Sequence, residues 1–368
     1  MVQSSVYIIR WLNDGELIPL SKRWRIGLLG LLVSAAAVYF IASQTDFTLL
    51  RDALDQARWI YVVPCVVLLL VGLVARAIRW RLLLSGDLPL ARAFHIMNVA
   101  YLVNGVLPLR IGEVARVYLA TRAQPPVPVL KTTGTIIVER LLDLLAVVMM
   151  IALGLAFADV PPVLRSAGLL IGGAGFFGFG LLIVLSRWRS LAHRLLDFAG
   201  TRLPFLTRWD VAAWLDQFLD GLRPLARWRT LWPALFWTLV SWALSVAAGY
   251  VLMYTFFPTA SLTVTGLYIA AAALAIAVPA TVGSLGVYEA SILIVLQSTG
   301  YGDPYAVAVA FAVTVHFVNV AVHAVTGFIG FIAEGITLEQ LSDGVRDISG
   351  DGEPPPVARI ETSTETSN

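Results

Sequence analysis

Apolar residues fall in long blocks along this chain, with the charges gathered between them. Six blocks, at 26–45, 59–75, 136–158, 166–186, 231–257 and 304–333, are nearly unbroken. A helix rising about 1.5 Å per residue needs roughly 20 such residues to cross a hydrocarbon core of about 30 Å. Each block is therefore predicted to be a full span, the last long enough to tilt. Two further blocks, 91–122 and 266–298, are apolar but interrupted. The first holds "NGVLPLRIGEVARVYLATR", the second "VPATVGSLGVYE". In the 166–186 block Gly168 and Gly172, and Ala174 and Gly178, lie four apart, a spacing that brings helix backbones together.

The polar stretches set the boundaries. Residues 187–229 carry eight Arg against four Asp. Within them Val211, Trp214, Leu215, Phe218, Leu219 and Leu222 share one helical face, which predicts a helix lying in the membrane interface. A partner-binding helix is the alternative. Residues 1–23 read as a cytoplasmic N-terminal segment; no small-residue cleavage site follows the first block, so it is expected to be a retained helix. Residues 24–335 form the transmembrane domain. Residues 336–368, rich in Pro, Ser, Thr and Glu towards their end, are expected to be a disordered cytoplasmic tail.

Composition agrees with the pattern. The chain is 58% hydrophobic and 14% charged, with mean hydropathy +0.80, where soluble domains carry about 25% charged residues. The expected fold class is an all-α polytopic membrane bundle. Cys65, the single cysteine, excludes a disulfide framework and reads as a packing residue.

Charge position predicts topology, because Lys and Arg near span ends favour the cytoplasm. Arg10, Lys22, Arg23 and Arg25 place the N-terminus inside; Arg76, Arg79, Arg81 and Arg92 place the loop after the second span inside; the 187–229 connection is inside as well. The chain must then cross an even number of times between Arg92 and Lys131. The first broken block is thus expected to enter and return, or to make two short half-crossings. The same reading of 266–298 puts the C-terminus inside. Each half becomes span, span, broken element, span, and the second half is inverted relative to the first. Pro108, Arg110, Ile111 and Gly112 match Pro279, Thr281, Val282 and Gly283, with Val117 and Tyr118 answering Val287 and Tyr288. Inverted repeats with paired broken helices point to a transporter site near the midplane.

The ionisable residues inside these blocks are the candidate chemistry. Pro108 removes a backbone donor, while Gly105, Gly112, Gly283 and Gly286 permit unusual backbone angles. Such breaks are tolerated at depth only against protein or a wet cavity. Exposed amides at half-helix N-termini, beginning near Asn104, favour an anion such as phosphate. Arg110, Glu113 and Arg116 recur at three-residue intervals, so Glu113 and Arg116 can pair on a helix. They read as a phosphate-binding arginine with a carboxylate that orients it; a salt-bridged element at the interface is the alternative. Glu139 and Asp143 share one face of the third span, with Arg140 within reach of Asp143. Glu289 is the sole charge between Arg229 and Asp303, a candidate proton carrier or arginine partner. His316, Asn319 and His323 stripe the last span and read as a polar packing face, with a proton relay as the alternative.

No phosphate-binding Gly loop with Lys, zincin motif, nucleophile elbow or metal-ligand spacing occurs, and nothing points to nucleic acid. No catalytic residue, metal or cofactor is therefore assigned.

Three stretches together resemble the lysylphosphatidylglycerol synthase transmembrane-region family, also described as flippase-like membrane proteins. The first is Leu107, Pro108, Arg110, Gly112, Glu113 and Arg116, against the family form LPxRxGE-x-x-R. The second, ERxxD, is Glu139, Arg140 and Asp143. The third keeps Pro279, Gly283, Gly286 and Glu289 but replaces the paired glycines that follow the proline. The resemblance covers about residues 25–335. It implies translocation of a polar-headed lipid between leaflets. In two-domain relatives a soluble C-terminal domain aminoacylates phosphatidylglycerol from charged tRNA. The short polar segment after the last span leads to the expectation that this domain, and lysyltransferase activity, are absent here.

The expectation is thus an inner-membrane, multi-pass lipid translocase, both termini cytoplasmic, acting on a lipid whose headgroup bears phosphate. Its partners would be the membrane lipid and enzymes of lipid biosynthesis. An embedded enzyme or accessory subunit of lipid, glycolipid or hopanoid biosynthesis is the alternative.

Overall fold

The computed structural model describes residues 20–107, 110–157, 162–202, 216, 219, 222–277 and 284–349. Among them every regular element is helical. Helix α1, Leu20–Gln44, is followed by α2, Phe47–Asp55, bent from it by 86°. Asp46 makes the corner: its carboxylate accepts from the amides of Thr48 at 2.9 Å and Leu49 at 3.2 Å, capping α2. The first span, expected to be a single helix over 26–45, therefore turns sharply at its end.

A short 3₁₀ turn leads into α3, Val62–Leu83. Ser85 and Gly86, both at positive φ, end this excursion. Two helices then fold back on each other, α4, Leu90–Val106, and α5, Ile111–Thr121. Helix α6 is Val129–Phe157, α7 is Pro162–Arg187 and α8 is Arg189–Arg202. After the short α9, Arg223–Ala226, comes α10, Trp228–Met253. A second folded-back pair follows, α11, Leu262–Ala277, and α12, Val287–Ser298. The long α13, Tyr305–Glu334, ends at Gly335 in a left-handed conformation, and α14 is Leu338–Ser349.

Among the described residues, four stretches combine length with apolar composition sufficient to cross a membrane: Trp59–Leu83, Gly168–Arg187, Trp228–Met253 and Tyr305–Glu334. The bent pair α1–α2 makes a fifth when taken as one broken span. The remaining block expected to span belongs to α6, whose 29 residues reach about 44 Å but carry Lys131, Glu139, Arg140 and Asp143. With 11 and 12 residues, α5 and α12 reach only about 17 Å, roughly half a hydrocarbon core. Neither can cross by itself. Each broken block is a helical hairpin with one short arm.

The two hairpins hold equivalent places. Helices α3 and α10 pack on each other at the centre. Helix α4 packs on α13, as α11 packs on α6. Within the halves, α3 meets α4 as α10 meets α11, and α5 meets α6 as α12 meets α13. Exchanging α3–α6 for α10–α13, with α7–α9 left out, carries each of these contacts onto another.

Buried apolar side chains fill three regions. Tyr268, Ile292 and Phe311 lie in the α10–α13 core, where Cys65 also packs. Trp80, Ile96 and Leu119 join α3, α4 and α5. Leu142, Leu222 and Leu231 join α6 to α7 and α10. Helix α14 corrects the expectation of disorder from residue 336: Leu341 is buried in the α3–α5 core, and Gly344 lies against the Tyr118 ring. Leu341 and Val345, one turn apart, share a face in an otherwise largely acidic stretch. The expected interfacial helix within 187–229 falls mostly outside the described residues, as do 350–368; Leu219 and Leu222 of its apolar face are buried.

Candidate functional site

Arg110 closes the tip of the first hairpin. It adopts φ +55° and its carbonyl accepts the Glu113 amide at 3.0 Å, starting α5. Gly112 packs so close to α4 that a Cβ there would collide with the Ala100 carbonyl oxygen. Its amide donates to Asn104 Oδ1 at 2.8 Å, which braces the two arms. From this tip Arg110 Nη2 donates to the Ile276 carbonyl at 3.2 Å, in the last turn of α11. A helix C-terminus offers carbonyls without intrahelical partners, so this arginine joins one hairpin to the other. Pro108 and Gly283, singled out in the sequence, lie outside the described residues.

Behind the tip lies a buried ion-pair lattice. Arg79 of α3, 1% exposed, forks onto Asp143 at 2.6 and 3.2 Å and reaches Glu139 at 3.3 Å. Its Nη1 also donates to Thr238 of α10 at 3.2 Å. Arg116 Nη2 lies 2.6 Å from Glu139 as an ion pair, and the Arg116 guanidinium lies 3.8 Å from the Trp80 ring centroid. Trp242 Nε1 donates to Asp143 at 3.1 Å. Four helices, α3, α5, α6 and α10, meet at this lattice, where low dielectric makes each missing partner costly.

The sequence brought together the right residues with the wrong partners. It expected Arg116 beside Glu113 and Arg140 beside Asp143. Instead Arg140 Nη2 takes Glu113 at 2.6 Å, with Arg110 3.7 Å from the same oxygen. Arg116 takes Glu139, and Asp143 takes Arg79. Local pairs satisfy only one helix, whereas these pairs satisfy the charges on both sides of each helix contact. The charge pattern assigns Arg79 to a loop, yet α3 runs on through Leu83 and buries it. The signal lay in "ARAIRWRLL", which contains no helix breaker and spaces Arg76, Arg79 and Trp80 helically.

The second hairpin is built alike. Gly286, at φ +80°, caps α12 and lies 2.8 Å, measured from an added Cβ, from the Ser34 carbonyl of α1. Glu289 Oε2 accepts the Gly286 amide at 2.7 Å. Its Oε1 lies 2.6 Å from His316 Nδ1. The Tyr288 and His316 rings face each other at 4.4 Å. The partner of Glu289 is thus a histidine on α13 and not an arginine, and His316 does more than pack.

A cavity of about 530 Å³ opens between the hairpins and the central helices. Asn104, Arg110, Arg140 and Asp143 line it; so do Arg76, Tyr101, Trp242, His316, Asn319 and His323. Glu113, Arg116, Glu139, Gly286 and Glu289 form the layer behind. Arg76 Nη2 donates to Ser245 at 3.2 Å, and no carboxylate lies within ion-pair distance of it among the described residues. Leu69, Leu73, Val147 and Ile269 supply apolar wall. In the arginine-lined wall and the ion-pair lattice behind it, five guanidiniums (Arg76, Arg79, Arg110, Arg116, Arg140) meet three carboxylates (Glu113, Glu139, Asp143), an excess of two positive charges among the described residues. Tyr101 and Trp242 lie outside the three motifs, and Arg76 marks topology in the sequence, so nothing local to these residues points to a shared cavity.

Helices of this length and apolarity around a charged cavity define a multi-pass, all-helical membrane protein. The chain belongs to the family described as lysylphosphatidylglycerol synthase TM region, whose profile matches residues 27–327. That family places it among membrane proteins of lipid metabolism or transport. No curated protein matches the chain, and no solved structure matches it.

Proposed function

We propose that the protein moves a lipid between leaflets and that the cavity receives the lipid's phosphate-bearing headgroup. The observation that carries this reading is the cavity's uneven wall. Arg76, Arg110 and Arg140 line it against one carboxylate, Asp143, already held by Arg79. An anion would complete that charge balance, and guanidiniums present forked donors suited to phosphate. The apolar remainder of the wall suits the glycerol and upper acyl chains. The volume lies within the range of small-ligand sites.

The equivalent hairpins support a second element of the proposal, an inverted repeat giving access from either leaflet. The termini are then cytoplasmic and the membrane is the cell's inner membrane.

The test is scrambling of nitrobenzoxadiazole-labelled phosphatidylglycerol in proteoliposomes, followed by dithionite quenching. Arg110→Ala and Arg140→Ala are expected to slow exchange about 10- to 100-fold, the scale of one or two charge-assisted hydrogen bonds. Arg51→Ala, on the exposed face of α2, is expected to match wild type. Equal rates in all four proteins contradict translocation through this cavity. A chemically altered lipid indicates an enzyme instead.

A further inference from the structure

The two hairpins carry the same device with one residue changed. In each, the helix that follows the break starts from a residue at positive φ, Arg110 at +55° and Gly286 at +80°. In each, the third residue of the short helix is a glutamate, Glu113 of α5 and Glu289 of α12. In each, that glutamate holds the twelfth residue of the next long helix, at 2.6 Å: Arg140 of α6 and His316 of α13. Both pairs are 27 residues apart in sequence. The fifteenth residues, Asp143 and Asn319, both line the cavity. In this register Glu113 answers Glu289, so the Pro-to-Gly match read from the sequence is out of step with the structure.

Arginine keeps its proton at any physiological pH, whereas histidine gains and loses one between about pH 5 and 8. His316 hydrogen-bonds through Nδ1 to Glu289. Its Nε2 has no hydrogen-bond partner among the described residues, and its ring lines the cavity shared with Arg76, Arg110 and Arg140. Resting on the headgroup reading above, we propose that His316 is a proton-binding site linked to the anion, so that a proton enters and leaves with the headgroup.

The linkage has a simple sign. With neutral imidazole the pair carries one negative charge beside the cavity. A proton on Nε2 makes it a neutral ion pair, with Nδ1–H still donating to Glu289. The protonated pair repels an anion less, and by reciprocity a bound anion favours the proton.

Other groups facing this site do not supply the same switch. Tyr288 of α12, Tyr268 of α11 and Cys65 of α3 border it and are neutral near pH 7. Arg76 of α3 contributes a fixed positive charge, and His323 of α13 stacks against Tyr101 of α4 further along the helix. On α4, Arg92 is held by Glu334. On α10, Tyr250 and Tyr254 bond to each other. On α1 and α2, Tyr39 and Asp52 are exposed, Asp46 caps α2 and Asp55 pairs with Arg51.

The full chain has four histidines, so ¹⁵N-histidine NMR in nanodiscs can follow each, with His316→Gln assigning the signal. Phosphatidylcholine discs are compared with discs containing phosphatidylglycerol, and native mass spectrometry reports lipid binding on the same samples. Followed between about pH 5 and 8, His316 is expected to bind its proton about tenfold more tightly, a midpoint change of about one pH unit, when phosphatidylglycerol is present than when it is absent. His316→Arg, which copies the first hairpin, is expected to bind phosphatidylglycerol equally well across that range. Bound phosphatidylglycerol with an unmoved His316 midpoint overturns the proton linkage and leaves the headgroup reading standing. Absence of lipid binding at every pH overturns both.

Discussion

Arg79 shows what one buried guanidinium does in this protein. It occupies both oxygens of Asp143, touches Glu139 and takes a hydroxyl from α10, so three helices depend on its charge. Arg79→Met leaves Asp143 without its cation and Glu139 with only Arg116. The expected cost is about 3–5 kcal/mol, the scale for breaking a buried pair from one side, seen as a lower Tm in detergent. Adding Asp143→Asn is expected to recover part of the loss, because the stranded charge goes too. At this scale the sequence revealed identities better than partners. Ionisable residues in apolar blocks stand out because burial without a function or a partner is so costly. Which of them meet depends on helix crossings, which no spacing rule within one helix contains. Arg116, Arg140, Glu113 and Glu139 all stood out in the sequence for this reason; which carboxylate each arginine holds did not.

Elements were more legible. Blocks of apolar length gave the long helices, and Pro and Gly marked both breaks. The even crossing required by the arginines anticipated hairpins whose short arms, α5 and α12, cannot span alone. What escaped was the geometry of closure, because it depends on backbone approach. Gly112 tolerates the Ala100 carbonyl only for lack of a Cβ, and its amide then meets Asn104. Gly112→Ala is expected to cost about 1–3 kcal/mol by overpacking. It should also lower the Tm and spread the hairpin, read as increased deuterium exchange at residues 104–113. Wild-type exchange in that variant would mean that α4 and α5 do not need this close approach. The sharp corner at Asp46 and the packed α14 were hidden for another reason: both are short amphipathic helices beside longer signals.

The whole molecule sets two hairpins of equal design around one cavity and gives them unequal charge. The first brings fixed positive charge from Arg110 and Arg140. The second brings a titratable pair, Glu289 and His316. An account in which this cavity takes up a phosphate-bearing headgroup is tested most directly by lipid selection. Purified protein is offered equimolar phosphatidylglycerol and an uncharged diacylglycerol glycolipid, and the retained lipids are weighed by native mass spectrometry. The account predicts at least about tenfold preference for phosphatidylglycerol in wild type, the scale of one charge-assisted contact, and its loss in Arg76→Ala with Arg140→Ala. Equal retention of the two lipids by wild type, or an unchanged preference in the double variant, would contradict it.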